Sequence, residues 1–374
     1  MPALDPLPTV RVRAVELVNP RVTVDRPLPT AGGWLERHDV LLVHVVADEA
    51  EGWAEVAVAA APTYDADDGA SARLALERHL APLAWAGPTG DAVALEPHLA
   101  SVRGHHPARA ALLLAVLDAQ LRVAQRSLAS WLGGTQVTVP AGAALGLHDE
   151  PDDLLAEADG ALAAGAARLR VKIAPGRAAR HLRALREHVG DGMPLQADAN
   201  GSFAEDDPEL VALDDVGLAC LEQPLAPDDL LGHARLAVRL LTPICLDEPL
   251  TSLGVIEAAV ALGACEVVCL KPGRVGGWVA ARAVHDRCVE LGVPVWVGGM
   301  LETAVGRAAN LAVAALPGMA LAPDADPRPR YRQDLVARPA AVDGAYEVPS
   351  TPGTGAVPEP SALEDAGVIR MEAP

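Results

Sequence analysis

The chain predicts an α/β protein: a (β/α)7β-type TIM barrel with an N-terminal α+β capping domain. Three observations carry that expectation. From about Val137 onward, short apolar runs alternate with amphipathic stretches at a repeat of about 25 residues, the pattern of parallel strands joined by crossover helices. Charged residues close successive runs: Lys172, Asp198, Glu222, Asp247 and Lys271 follow one another at steps of 26, 24, 25 and 24 residues. In a barrel the strand ends converge on one mouth, whereas in an open sheet five strand ends spread over about 20 Å and share no common ion. Finally, three strand-like runs followed by helical ones precede the repeat, the order of a separate α+β unit. The expected division is a capping domain over 1–134, completed by 330–374, and a barrel over 135–329.

Taken in order, residues 10–18 alternate as a strand and 19–39, with three prolines and Gly32-Gly33-Trp34, read as an extended loop. Runs 40–46 and 52–58 flank the charged turn Asp48–Glu51 and predict a hairpin. Ala61–Asp65 is a further loop. Helices are expected over about 68–82, 91–102 and 107–130, the last with Leu113, Leu117, Leu121 and Ala124 on one face and Gly133-Gly134 beyond its end. In the repeat region, helices are expected over 177–189, 205–213, 227–240, 252–263, 277–291 and 302–315. Beyond Leu321 the chain is Pro-rich and irregular, and from Val348 it is expected to pack back on the N-terminal unit.

Composition narrows the function. The chain has 374 residues, 51% of them hydrophobic and only 3% aromatic, so a pocket here is shaped mostly by aliphatic groups. A formal net charge of −20 repels nucleic acid and anionic membrane. An anionic substrate then needs a local positive focus, for which Arg170, Lys172 and Lys271 are the candidates. Five cysteines form no C-x-x-C pair and predict buried, reduced thiols. No signal-type or transmembrane run is read in the sequence, so cytoplasm is the expected location. A homo-oligomer is expected. His105-His106, without zinc-type partners, reads as a surface or loop pair.

Arg168–Ile173 sets the register. In a strand, Arg170 and Lys172 share one face, and two inward cations are costly unless anions or a substrate meet them. Asp198, Glu222 and Asp247, at successive strand ends, supply oxygen ligands of the kind a hard divalent cation such as Mg²⁺ takes. Taken singly, each acid also suits a helix N-cap. A cation beside two lysines suits one chemistry: a carboxylate substrate loses its α-proton more readily where positive charge faces the developing anion. A lysine lowered in pKa by neighbouring cations and burial serves as the base.

At these residues the sequence resembles the enolase superfamily, in its muconate-lactonizing branch, and most of all the group of o-succinylbenzoate synthases and N-succinylamino acid racemases. The stretches concerned are Val171–Gly176, Gln196–Asn200, Leu221–Leu225, Thr242–Glu248, Lys271–Gly277 and Gly298–Thr303, with Ala115–Ala119 in the first unit. The resemblance implies Mg²⁺, replaceable by Mn²⁺, on Asp198, Glu222 and Asp247, with Lys172 and Lys271 as acid/base groups on opposite faces of a small-molecule carboxylate. It places Gly298, Gly299, Met300 and Glu302 beside the substrate and Arg170, Asn200 and Glu248 in support. It implies a lyase that removes an α-proton and eliminates water, as o-succinylbenzoate synthase does. The alternatives are an N-succinylamino acid racemase, both activities together, a muconate-type cycloisomerase, or a barrel that only binds. Two departures stand out. The family's Lys-x-Lys is Arg170-Val171-Lys172 here, and Arg cannot act as a base at neutral pH. The cover loop Arg26–Gly33 lacks an aromatic centre.

Overall fold

In Val12–Asn19 (β1) apolar side chains fall on the buried face, and the strand sits inside an antiparallel sheet. The computed structural model describes residues 4–30, 33–35, 38–86, 90–336 and 341–374. A two-stranded ribbon, β2 (Leu28–Thr30) and β3 (Gly33–Leu35), occupies part of the expected 19–39 loop, whose Ala31, Gly32, Glu36 and Arg37 lie outside the described residues. The predicted hairpin follows as β4 (Leu42–Ala47) and β5 (Glu51–Glu55), closed by a hydrogen bond from the Ala47 N–H to the Ala50 carbonyl.

The first expected helix is present as α1 (Gly69–Ala75), one wider turn over Leu76–Leu80, and α2 (Ala81–Ala86). Then come α3 (Ala92–Leu99) and α4 (His106–Val123), which is buried on nearly every face, as a helix apolar all round must be. The single helix expected over 107–130 is instead broken. Gln125 takes a left-handed conformation (φ 53°), and Ser127 starts α5 (Leu128–Leu132) by accepting from the Ser130 N–H through its hydroxyl. The loop carrying Gly353 fills the break, its carbonyl accepting from the Leu128 N–H. Strand β5 lies flush on α4: a Cβ at Gly52 would stand 1.9 Å from the Ala115 carbonyl oxygen.

The barrel begins after the short strand β6 (Thr138–Pro140). Its strands are β7 (Gly142–Leu145), β8 (Arg168–Lys172), β9 (Leu195–Asp198), β10 (Cys220–Glu222), β11 (Ile244–Leu246), β12 (Val267–Leu270) and β13 (Val295–Val297). They lie in sequence order in one parallel seven-stranded sheet. Residues 320–324 form the eighth stave. The Asp324 N–H donates to Val297 on one side, and Asp324 bridges Gly142 of β7 on the other. The intervening helices are α6 (Pro151–Ala163), α7 (Ala178–Val189), α8 (Pro208–Ala212), α9 (Leu230–Ala237), α10 (Leu253–Ala261), α11 (Trp278–Leu291) and α12 (Ala304–Ala314). Of these α6 was not expected from the sequence, although Pro151 at its first position and Asp152 and Asp153 in its first turn mark a helix start.

The tail does return to the N-terminal unit, and it does so as strands. β14 (Ala345–Glu347) pairs with β6, and β15 (Gly367–Glu372) pairs antiparallel with β1, giving the sheet order β15-β1-β4-β5. All five cysteines are buried and free. Among the described residues no helix is long and apolar enough to cross a membrane.

Candidate active site

Sheet order fixes the site. β8 and β12, which lead to Lys172 and Lys271, are separated by β9, β10 and β11, which lead to Asp198, Glu222 and Asp247. All five side chains are buried at one end of the barrel. Lys172 Nζ donates to Asp198 Oδ2 at 2.6 Å and to Asn200 Oδ1 at 2.7 Å. Asn200 in turn donates through Nδ2 to Glu248 Oε1 at 3.0 Å. Across the mouth, Lys271 Nζ donates to Asp247 Oδ2 at 2.8 Å and to Tyr64 Oη at 2.6 Å, with Met300 Sδ at 3.7 Å. Arg274 donates to Asp247 through Nη1 and to Asp65 Oδ2 through Nη2 at 3.1 Å. Tyr64 also donates to Asp247.

Between the lysines, Arg170 Nη1 stands 3.0 Å from Glu222 Oε1 and 3.5 Å from Asp198 Oδ2, while its Nη2 is 3.3 Å from Asp324 Oδ2. Gln196 donates to Glu222 at 2.6 Å and accepts from Arg168 at 2.6 Å. The Arg168 guanidinium lies 4.4 Å over the Trp296 ring. The three barrel cations therefore meet acids rather than open space, and the positive focus expected of Arg170, Lys172 and Lys271 is already neutralised by Asp198, Glu222 and Asp247.

Burial and crowding spread the acids in pKa. Burial pushes Glu222 up to about 8, with Arg170 opposing and Asp198 and Asp247 reinforcing. Burial, with Asp247 and Asp198, lifts Glu248 to about 7. Asp247 goes the other way: burial raises it, but Arg274 and Lys271 together hold it well below the usual carboxylate range. At Lys271 burial lowers the ammonium's pKa, but the directly bonded Asp247 raises it above the usual range.

Two of the three expected ligands come together: Glu222 and Asp247 each bring an oxygen within 4.8 Å of the other and of Cys269 Sγ, all buried. The two carboxylates suit a hard divalent cation, whereas the Cys269 thiol, pushed up in pKa by burial, does not. Glu248 Oε2 is buried with no hydrogen-bond partner among the described residues. Asp198, the third expected ligand, is not in that group, and its Oδ2 accepts from Lys172 at 2.6 Å.

A cavity of about 840 Å³ opens on both lysines, Arg170, Asn200 and Glu248. Gly299, Met300 and Glu302 line it too. Gly298 lies behind Lys271, and a Cβ there would come 2.9 Å from Lys271 Cε, so only glycine lets the lysine stem pass. Tyr64, Arg274 and Asp324 carry no role in the sequence reading. Arg274 sits within the Lys271–Gly277 stretch, three residues past the second lysine, and that position was the available signal. Tyr64 arrives from a loop of the other unit and gave none. His106, expected with His105 in a surface or loop position, begins α4 half-buried, and its Nδ1 lies 2.8 Å from the Arg274 carbonyl oxygen.

Comparisons with known proteins agree with this geometry. Residues 153–362 match the enolase C-terminal domain-like family. An N-succinylamino acid racemase of an Amycolatopsis species is 40% identical over 364 residues, covering 97% of this chain and 99% of that protein. An o-succinylbenzoate synthase of Geobacillus kaustophilus is 37% identical over 350 residues, covering 92% and 93%. A crystal structure of an enolase superfamily member from Listeria innocua superposes with a TM-score of 0.93 at 29% identity, over 98% of this chain and all of that one. A barrel whose strand ends gather acids between two lysines, matched over nearly its whole length by such relatives, makes this chain a member of the enolase superfamily.

Proposed function

We propose that the protein is an Mg²⁺-dependent lyase of the o-succinylbenzoate synthase kind. The observation that carries this reading is the sheet order: three acid-bearing strands stand between two lysine-bearing strands at one cavity. Asp198, Glu222 and Asp247 would hold Mg²⁺, or Mn²⁺ in its place. When bound, the cation stabilises negative charge developing on the substrate carboxylate. Lys172, as the free amine, takes the α-proton of a cyclohexadiene carboxylate and returns it to the departing hydroxyl, which leaves as water. Asn200 orients the amine through its 2.7 Å contact, and Lys271 faces the substrate from the far side as a cation.

A second reading, N-succinylamino acid racemase, rests on two specific observations. The racemase relative is 40% identical over 97% of the chain. Lys271 is held at the cavity by Tyr64 and Asp247, as a second acid/base group requires. In that reaction one lysine removes the α-proton and the other supplies a proton to the opposite face. The test is a side-by-side assay of the cyclohexadiene acid and a panel of N-succinyl amino acids, before and after chelation. Turnover that stops with chelator and returns with Mg²⁺ or Mn²⁺ supports the reading; turnover indifferent to chelator, or none on either substrate class, overturns it.

A further inference from the structure

The two histidines at the start of α4 reach two different segments of the site. His105 precedes the helix in the left-handed region (φ 50°), uncommon for a residue with a side chain, and its ring does not cap the helix. Instead its Nδ1 stands 2.7 Å from Asp67 Oδ1, an ion pair when the ring is protonated, in the loop that carries Tyr64 and Asp65. His106 begins α4 and meets the turn that follows Lys271: its Nδ1 lies 2.8 Å from the Arg274 carbonyl oxygen. A carbonyl only accepts, so Nδ1 carries the proton and donates. The two segments also join each other, because Arg274 Nη2 donates to Asp65 Oδ2 at 3.1 Å. Together they hold the Lys271 amine, through Tyr64 Oη at 2.6 Å and through Asp247 at 2.8 Å, which Arg274 also grips. Lys172 takes its partners, Asp198 and Asn200, from β9 and the residues just after it.

We infer that His106 is a positioning residue for Lys271. Its donation to the Arg274 carbonyl fixes the turn after β12, and with it the Arg274 guanidinium on Asp247 and the amine beside it. His105 acts on the neighbouring loop through Asp67 in the same sense. This rests on the reading of function above and deepens it: the two lysines have separate supports, Lys172 from the barrel alone and Lys271 from the barrel together with the N-terminal unit.

Lys172 and Lys271 are the only lysines of the chain, so an amine reagent reads both without background from other side chains. The test exposes the full-length protein with Mg²⁺ to acetic anhydride, small enough for the cavity, and follows the two lysines by peptide mass spectrometry. His106→Ala removes the donor and keeps a good helix former; His106→Asn keeps an N–H near the place of Nδ1. In His106→Ala, Lys271 is expected to acetylate roughly 3- to 10-fold faster relative to Lys172, the range of one lost neutral hydrogen bond. His106→Asn returns the ratio most of the way to the wild-type value. His106→Gln, whose amide falls where Nε2 stands, gives the same reading as Ala should the Ala variant fail to fold. A ratio unchanged in folded His106→Ala overturns the inference, as does a ratio that Asn leaves as altered as Ala does. With an N-succinyl amino acid in D₂O, exchange of the enantiomer that Lys271 serves falls by a similar factor in His106→Ala, and exchange of the other changes little. Absence of exchange from both enantiomers with an acetylation ratio still dependent on His106 refutes the assigned chemistry alone; equal loss from both, or a ratio blind to His106, refutes the role of His106 alone.

Discussion

Tyr64 Oη lies 2.6 Å from Lys271 Nζ, so a loop of the N-terminal unit completes a site whose other parts come from barrel strands. Burial holds the phenol far above its usual pKa, so it is a neutral hydroxyl. It donates to Asp247 and accepts from the lysine. It therefore fixes where the Lys271 amine points. Tyr64→Phe is expected to slow exchange in D₂O of the one enantiomer that Lys271 serves by roughly 10- to 100-fold, while exchange at the Lys172 face changes much less. Equal loss from both enantiomers would show that Tyr64 supports the whole site and not one lysine.

Lys172 is the group with no substitute. Its nearest basic neighbour on the strand, Arg170, is held by Glu222 and stays protonated. Lys172→Ala is expected to reduce turnover by at least about 10²- to 10⁴-fold, the usual contribution of general acid–base catalysis. The acids remain, so Mg²⁺ or Mn²⁺ binding, followed by Mn²⁺ paramagnetic resonance, should persist. Substantial residual turnover would remove Lys172 as the base.

The barrel was legible because its signal is periodic. Each strand end is marked by a charge, and the repeat of about 25 residues left few other arrangements. The ligand and lysine candidates were legible for the same reason. What the sequence hid depends on contacts between distant segments. The ion pairs of Asp324 with Arg168 and Arg170 span 156 and 154 residues, and nothing in the Pro-rich stretch after Leu321 announces an eighth stave. The break after α4 was hidden similarly. Gln125 is an ordinary helix former, and it turns left-handed where Arg126 and Leu128 hydrogen-bond the loop that carries Gly353.

Glu222 predicts a pH dependence of the metal-free protein. Its folded pKa of about 8 exceeds the ordinary carboxylate value near ~4.3. Below both values the carboxyl is protonated in either state, and this contribution is fully present. Between them the folded protein keeps a proton that the unfolded chain sheds, so stability falls as pH rises toward 8, by at most about 1.4 kcal/mol per pH unit from this group. Glu248, at about 7, acts in the same direction. Thermal melts in chelator from pH 5 to 8 should show a falling midpoint, and Glu222→Gln should flatten the slope. A midpoint that rises over that range would contradict the assignment.

Glu55 ties the N-terminal sheet to the loop that carries Gly298, Gly299, Met300 and Glu302. From β5 its carboxylate accepts from the Thr303 N–H at 3.0 Å, the Thr303 hydroxyl at 2.6 Å and the Gly306 N–H at 3.0 Å. These are donors at the start of α12, where a helix favours negative charge. Glu55→Ala would leave buried donors without partners, at a cost of about 1–3 kcal/mol, and the amides of Thr303 and Gly306 would exchange faster with D₂O. Because that loop borders the cavity, KM should rise more than kcat falls. Glu55→Gln keeps an acceptor and should recover part of the stability. Unchanged exchange at Thr303 and Gly306 in Glu55→Ala would mean that the barrel alone holds the loop.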